Sequence, residues 1–82
     1  MYKEQFEFEK AEILVLLKNG GYLKLSQTNP KIFKTFDAEN NPLSYYDRCI
    51  FNNLIDEKLI IQESGKFILN VENFIFFYNN NN

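Results

Sequence analysis

The stretch "IFNNLIDEKLIIQESGKFILN", Ile50 to Asn70, decides the fold because it joins an amphipathic helix to a short hairpin. Ile50 and Leu54 recur at helical spacing, so they share one face. Two short apolar runs then flank a Ser-Gly pair, in which Gly65 accepts the positive φ that a two-residue turn requires. The stretch therefore predicts a helix that packs on a β-hairpin.

Upstream, the same helical spacing continues to Leu43 and predicts one helix over "LSYYDRCIFNNLIDEKL", residues 43–59. Asn41-Pro42 supplies a helix cap followed by a first-turn proline. On this helix Leu43 and Tyr46 belong to the buried face. The outer face is expected to carry Tyr45, Arg48 and Asn52.

The first third of the chain predicts a helix over about residues 3–19, which is stopped by Gly20-Gly21 and buried on nearly all sides at its C-terminal end. "YLKLS" then alternates as a strand does, with Leu23 on the buried side. "KIFKTF", residues 31–36, suits either a helical turn or a strand that pairs back on "YLKLS". Its β-branched and aromatic content favours the hairpin.

The final segment "VENFIFFY", residues 71–78, predicts a short helix or another strand, since eight residues do not distinguish the two periods. Its run of large apolar side chains is either buried in the core or partly exposed as a protein interface. The interface candidates are Phe74, Phe76, Phe77 and Tyr78. Residues 79–82 are predicted to be a polar tail after one domain of residues 1–78.

Together these elements predict an α+β fold in the order helix, hairpin, helix, hairpin and C-terminal helix or strand. The expected core consists of Leu14, Leu17, Leu23, Leu25, Ile50, Leu54, Leu59, Phe67 and Leu69. Residues 43–70, a helix followed at once by a hairpin, resemble the last helix and wing of winged helix-turn-helix domains, including small phage or mobile-element proteins. That resemblance implies a winged-helix-like architecture and a DNA-binding role.

Charge is segregated along the chain although the formal net charge is only −2. Residues 13–36 contain four lysines and no acid, whereas residues 37–82 contain seven acids and three bases. The lysines are Lys18, Lys24, Lys31 and Lys34. They are the candidates for contact with nucleic acid or an acidic partner. The alternative is that strand lysines prevent edge-to-edge pairing.

The second helix is a weaker candidate for contact with DNA. Arg48 and Asn52 are side chains suited to bidentate contacts with bases. Residues 43–70, however, carry four acids against three bases, and affinity for DNA depends largely on basic side chains at phosphates.

The residue inventory argues against catalysis and against a cofactor or metal site. The chain has no histidine, which is the usual general base at neutral pH, and no glycine-rich phosphate loop. Its one cysteine, Cys49, permits neither an intrachain disulfide nor a cysteine-rich metal site. The longest apolar run, residues 13–17, is too short to span a membrane, so a cytoplasmic protein is expected.

By elimination, the sequence predicts a non-enzymatic binding module, a small regulator or inhibitor that occupies the surface of a protein or nucleoprotein partner. The alternative is a winged-helix DNA-binding regulator, dimeric through the C-terminal aromatic segment. A homodimer through that segment is also compatible with the first prediction.

Overall fold

A computed structural model describes the backbone of residues 2–80 and the side chains of residues 2–75. The fold is α+β, with helices and an antiparallel sheet. In chain order the elements are α1 (Lys3–Lys18), β1 (Tyr22–Leu25), β2 (Ile32–Phe36), β3 (Pro42–Asp47), α2 (Arg48–Asp56), β4 (Ile60–Glu63), β5 (Lys66–Leu69) and α3 (Val71–Asn80). Both predicted hairpins, β1–β2 and β4–β5, are confirmed.

The five strands form one sheet in the order β3-β2-β1-β5-β4. β1 is therefore in the middle, and the two hairpins meet where β1 pairs with β5 through Leu23 and Phe67. The edges of the sheet are β3 and β4. Because cross-strand partners point to the same side, the register of the strands divides the sheet into a face covered by helices and an open face.

The core lies between the helices and the covered face. Its fully buried residues come from α1, the central strands, α2 and the connection between α2 and β4, and they include Ile13, Leu23, Phe33, Ile50, Leu54 and Leu59. Of the predicted core, Leu17, Leu23, Ile50, Leu54 and Leu59 are buried, whereas Leu14, Leu25, Phe67 and Leu69 are half-buried against this cluster. Phe51 makes an edge-to-face contact with Phe67, with ring centroids 4.7 Å apart.

Helix α1 ends at the two glycines, as predicted. The Gly20 N–H donates to the Leu17 carbonyl and the Gly21 N–H donates to the Leu16 carbonyl, while Gly20 takes φ +92°. These two bonds form a Schellman motif, which satisfies carbonyls that a helix end would leave free. The prediction that this end is buried on nearly all sides is wrong, because Val15 is 60% exposed.

Residues 42–47 are not helical, which corrects the predicted start of the second helix. They form edge strand β3, in which exposed Tyr45 and half-buried Tyr46 alternate about the sheet. Two tyrosines favour a strand, and an edge strand tolerates Pro42 because no ladder N–H is needed there. The Thr35 hydroxyl accepts the Ser44 N–H (3.1 Å) next to a register shift between β2 and β3.

The cap of α2 is consequently Asp47 rather than Asn41. Its carboxylate accepts the Cys49 N–H at 2.8 Å, and α2 then runs for nine residues from Arg48. Leu43, predicted to face the core, is 54% exposed. Residues 42–47 form a strand because they pair with the edge of β2. The helical spacing of the apolar residues from Leu43 onward is therefore coincidental.

The predicted turn of the second hairpin is confirmed. Ser64 has φ +52° and Gly65 has φ +78°, so both central residues take the positive φ that a type I′ hairpin turn requires.

Residues 71–78, predicted as either a helix or a strand, belong to helix α3. This helix includes Asn79 and Asn80 of the predicted tail. Residues 81 and 82 of that tail lie outside the described residues. Along residues 2–80, each helix falls short of the length and apolar character that a membrane crossing requires.

Candidate functional site

The open face of the sheet combines aromatic rings with lysines. We call this surface the lysine–aromatic face and define it by Tyr22, Lys24, Lys34, Phe36, Tyr45 and Lys66. Register places these side chains on one side: Tyr22 pairs with Phe36, Lys24 with Lys34, and Lys34 with Tyr45. Lys66 of β5 reaches the same side, since its Nζ lies 4.3 Å from the centroid of the Tyr22 ring.

Two lysines face each other directly at the centre of this surface. Lys24 and Lys34 are cross-strand partners in β1 and β2. Their ammonium groups diverge, because Lys24 Nζ lies 6.0 Å from the centroid of Phe36 and Lys34 Nζ lies 5.8 Å from that of Tyr45. Each ammonium is thus held near a ring face, where the ring quadrupole attracts a cation.

The Tyr22 ring anchors the other side of the face. It stacks on Phe36 with centroids 5.0 Å apart and planes inclined by 6°. The Tyr22 hydroxyl donates to Asn40 Oδ1 at 2.8 Å, and Lys66 Nζ donates to the same oxygen at 3.3 Å. These contacts bury Tyr22, whereas Phe36 stays half-exposed and Tyr45 is 64% exposed. Tyr45 and Phe36 are therefore the rings that a ligand can reach.

Two hollows meet on this face. One, of about 370 Å³, lies toward β3 and is lined by Lys34, Thr35, Phe36, Pro42, Leu43, Ser44 and Tyr45. The other, of about 230 Å³, lies toward the β1–β2 loop and is lined by Lys24, Leu25, Gln27, Thr28, Lys34 and Phe36. Lys34 and Phe36 line both, so they form the ridge between two adjacent hollows. Each hollow has a ring, an ammonium group and polar groups at its rim.

The acidic groups near this face lie at its margins. Glu63 lies in edge strand β4, where it is the cross-strand partner of Lys66. Asp47 lies at the end of edge strand β3, where it pairs with Ile32 of β2. The Cys49 N–H bonded to the carboxylate of Asp47 lowers the pKa of that group. In the loop after β2, the Asn41 N–H likewise lowers the pKa of Asp37. The centre of the face thus remains cationic.

The structure brings together only part of the predicted lysine group. Lys24 and Lys34 share the lysine–aromatic face, as predicted for a hairpin. Lys18 ends α1 and lines a groove against α3, and Lys31 lies in the turn before β2. The alternative that strand lysines protect an edge does not apply to Lys24 and Lys34, because β1 and β2 are both interior strands.

The predicted outer face of the second helix is also divided. Tyr45 belongs to β3 and joins the lysines instead. Arg48 starts α2, where its guanidinium lies 5.4 Å from the centroid of Phe51 and donates to the Pro30 carbonyl at 3.3 Å. Arg48 is therefore half-buried in structural contacts. Asn52 is exposed on α2, as predicted.

Sequence reasoning missed Lys66, Phe36 and Tyr22 as members of this surface. Alternation along "YLKLS" placed Tyr22 beside Lys24, and the same alternation along β2 places Phe36 beside Lys34. Those signals were therefore present in the sequence. Lys66 had no such signal, because only the pairing of β1 with β5 brings the second hairpin to the first.

A second, apolar surface lies between α1 and α3. A groove of about 250 Å³ is lined by Ala11, Leu14, Val15, Lys18 and Phe74. Phe74 packs half-buried against the core, and Ile75 is 52% exposed. The other predicted interface residues, Phe76, Phe77 and Tyr78, belong to α3, and their side chains lie outside the described part of the chain.

Comparisons of the chain with protein-family models, with curated proteins and with solved structures gave no match.

Within the described residues, no three His, Cys, Asp or Glu side chains are grouped as metal ligands. Cys49 is exposed as a residue at the N-terminus of α2, but partial loss of water around its thiol raises the pKa of that group, and Asp47 raises it further.

Proposed function

We propose that this protein is a non-enzymatic binding module, a small regulator or inhibitor, whose lysine–aromatic face occupies an anionic surface of a protein or nucleoprotein partner. The observation that carries the proposal is the Lys24–Lys34 pair. Like charges directly opposite each other destabilise a sheet. Both lysines lie in interior strands, so protection of an edge does not account for them.

An anionic partner would relieve this repulsion. Cation–π contacts at exposed sites contribute only about 0.5–1 kcal/mol each. Lys24 and Lys34 can therefore leave Phe36 and Tyr45 at little cost when a stronger anionic contact is offered. Although the whole chain has a formal net charge of −2, the acids near this face are at its margins. A partner of this kind would be met in the cytoplasm, the location expected from the sequence.

Salt-gradient elution from immobilised heparin, a polyanion that has no nucleobases, tests the proposal. The variant K24Q/K34Q/K66Q should elute at clearly lower salt than the wild type. The matched control is K3Q/K18Q/K58Q, which has the same net charge but changes lysines on α1 and in the turn after α2. Equal elution of the two triple variants would contradict the proposal, because total charge alone would then explain retention.

A winged-helix regulator of duplex DNA is the second candidate. It is favoured by one observation, the direct succession of α2 and the β4–β5 hairpin with Asn52 exposed on the helix. Asn52→Ala should then weaken binding to one duplex sequence, whereas K24Q/K34Q/K66Q should leave that sequence preference intact.

Self-association is a separate candidate property, supported by the apolar groove between α1 and α3. Exposed Val15 and Ile75 lie on the two helices that form it. Sedimentation equilibrium of the wild type and of Val15→Asp would test it, because a dimer through this groove should dissociate in the variant. A monomeric wild type at 100 μM would contradict it.

A further inference from the structure

The exposed rings of the lysine–aromatic face require an explanation beyond charge. A partner that is only acidic would use the ammonium groups of Lys24, Lys34 and Lys66, and it would gain little from an aromatic ring. Tyr45 is nevertheless 64% exposed beside Lys34, and half-exposed Phe36 separates the two hollows. A ligand that matches this surface has both anionic groups and flat aromatic groups, spaced within one short segment.

Single-stranded nucleic acid has that combination. Its unpaired bases stack on aromatic side chains, and its phosphates contact basic ones. A duplex fits less well, because its bases already stack on each other and its major groove admits a helix or a two-stranded ribbon rather than the face of a five-stranded sheet.

We propose that the lysine–aromatic face binds single-stranded nucleic acid, with one base stacked on Tyr45, a second beside Phe36, and phosphates bound by Lys24, Lys34 and Lys66. The two adjacent hollows set the number of bases at about two, which is within the range for a sheet that presents two stacking rings. Gln27 and Thr28 at the rim of the second hollow supply hydrogen-bonding groups for base edges. This inference rests on the proposed function and names the partner of the same face.

The test is fluorescence anisotropy of the full chain with four labelled decamers at 50 mM salt. The decamers are oligothymidine, oligouridine, an abasic deoxyribose phosphate strand of the same charge, and a duplex. A labelled acidic peptide of equal charge is the fifth probe. The wild type should bind a base-containing single strand at least about five-fold more tightly than the abasic strand, because stacking contributes a factor of about 5 to 150 per base. Such a preference over the abasic strand, for either oligothymidine or oligouridine, supports the proposal.

Tyr45→Ala and Tyr45→Phe form the matched pair of variants. Tyr45 is exposed in edge strand β3, so both variants should fold, and circular dichroism is the measurement that checks this. Tyr45→Ala should lose about five-fold or more in affinity for the single strand but none for the abasic strand, whereas Tyr45→Phe should keep both affinities because it keeps the ring. K24Q/K34Q should reduce the affinity for both strands and flatten its dependence on salt by about 0.7 per lysine.

Three outcomes would overturn the inference. Equal affinity for the abasic and base-containing strands, with lysine dependence retained, would leave a polyanion-binding face and exclude stacking. Tighter binding to the duplex, or to an acidic peptide of equal charge, would assign the face to that class of partner. Failure of all strands and of heparin to bind would remove the proposed function as well.

Discussion

Lys10 and Glu57 form an ion pair that connects the middle of α1 to the end of α2. Lys10 is only 9% exposed, although it is charged, and its Nζ donates to the Glu57 carboxylate. Glu57 also contacts α3, because its main-chain carbonyl accepts the Asn73 side-chain amide at 2.8 Å. Glu57 thus lies at the junction of the three helices.

Glu57→Gln should destabilise the fold, because it leaves the buried ammonium of Lys10 without this carboxylate. The expected loss is about 1–3 kcal/mol, below the range for a fully buried pair since the Glu57 side chain is 31% exposed. Urea denaturation followed by circular dichroism measures it. The control Glu39→Gln makes the same change of charge in an exposed loop and should stay within about 0.5 kcal/mol of the wild type.

Lys10→Met tests whether the buried charge of Lys10 causes the loss of stability expected in Glu57→Gln. It removes the buried charge and keeps the apolar stem, so it should cost less than Glu57→Gln. A larger loss in Lys10→Met than in Glu57→Gln would contradict the view that Glu57→Gln is destabilised because the buried ammonium of Lys10 loses the carboxylate of Glu57.

Asp37 and Asp47 should make stability depend on pH in the acid range. Main-chain N–H donors, chiefly those of Asn41 and Cys49, lower the pKa of the two carboxyls in the folded state. Each folded pKa lies below the unfolded value of about 3.9. The stabilisation of the fold by the two carboxylates is therefore fully present above that pH. It disappears as the pH falls through the folded pKa.

The double variant Asp37→Asn/Asp47→Asn should therefore be less stable than the wild type at pH 7, and the difference should shrink as the pH falls below the unfolded value of about 3.9. Urea denaturation at pH 7, 4 and 2.5 measures the difference. A difference that stays constant over this range would show that the two carboxylates act without a lowered pKa.

Two glycines should differ in their tolerance of a side chain. A Cβ on Gly21 would meet the Phe36 carbonyl oxygen at 2.6 Å and Leu16 side-chain carbons at 2.7 Å. Gly65, with φ +78°, has no atom within 4 Å of such a Cβ. Gly21→Ala should thus cost about 1–3 kcal/mol through overpacking, and Gly65→Ala about 1 kcal/mol through backbone strain alone. Thermal denaturation of both variants should rank them in that order.

The sequence predicted the elements whose signals are local. The Ser64-Gly65 turn, the stop at Gly20 and the alternation in β1 each depend on residues adjacent in the chain, and each is confirmed. β3 was missed because its identity depends on a partner. Residues 42–47 satisfy helical spacing, but the unpaired edge of β2 makes them a strand.

The site was predictable only in part for the same reason. Lys24 and Lys34 were found from charge and alternation, and their pairing follows from the hairpin. Tyr45 was named as a candidate on the wrong element, and Lys66 reaches the site only because β1 pairs with β5. Contacts between separate hairpins depend on sheet order, which no single stretch of residues specifies.

The hydroxyl of Tyr22 should stabilise the fold without taking part in binding. Tyr22 lies on the open side of the sheet but is covered by its neighbours there, and its hydroxyl donates to Asn40 Oδ1 at 2.8 Å. Tyr22→Phe removes this bond but keeps the ring that stacks on Phe36, and Asn40 still accepts from Lys66. The expected loss of unfolding free energy is about 0.5–1.5 kcal/mol, with elution from heparin unchanged. Earlier elution of a folded Tyr22→Phe would show instead that the Asn40 contact positions Lys66 for its partner.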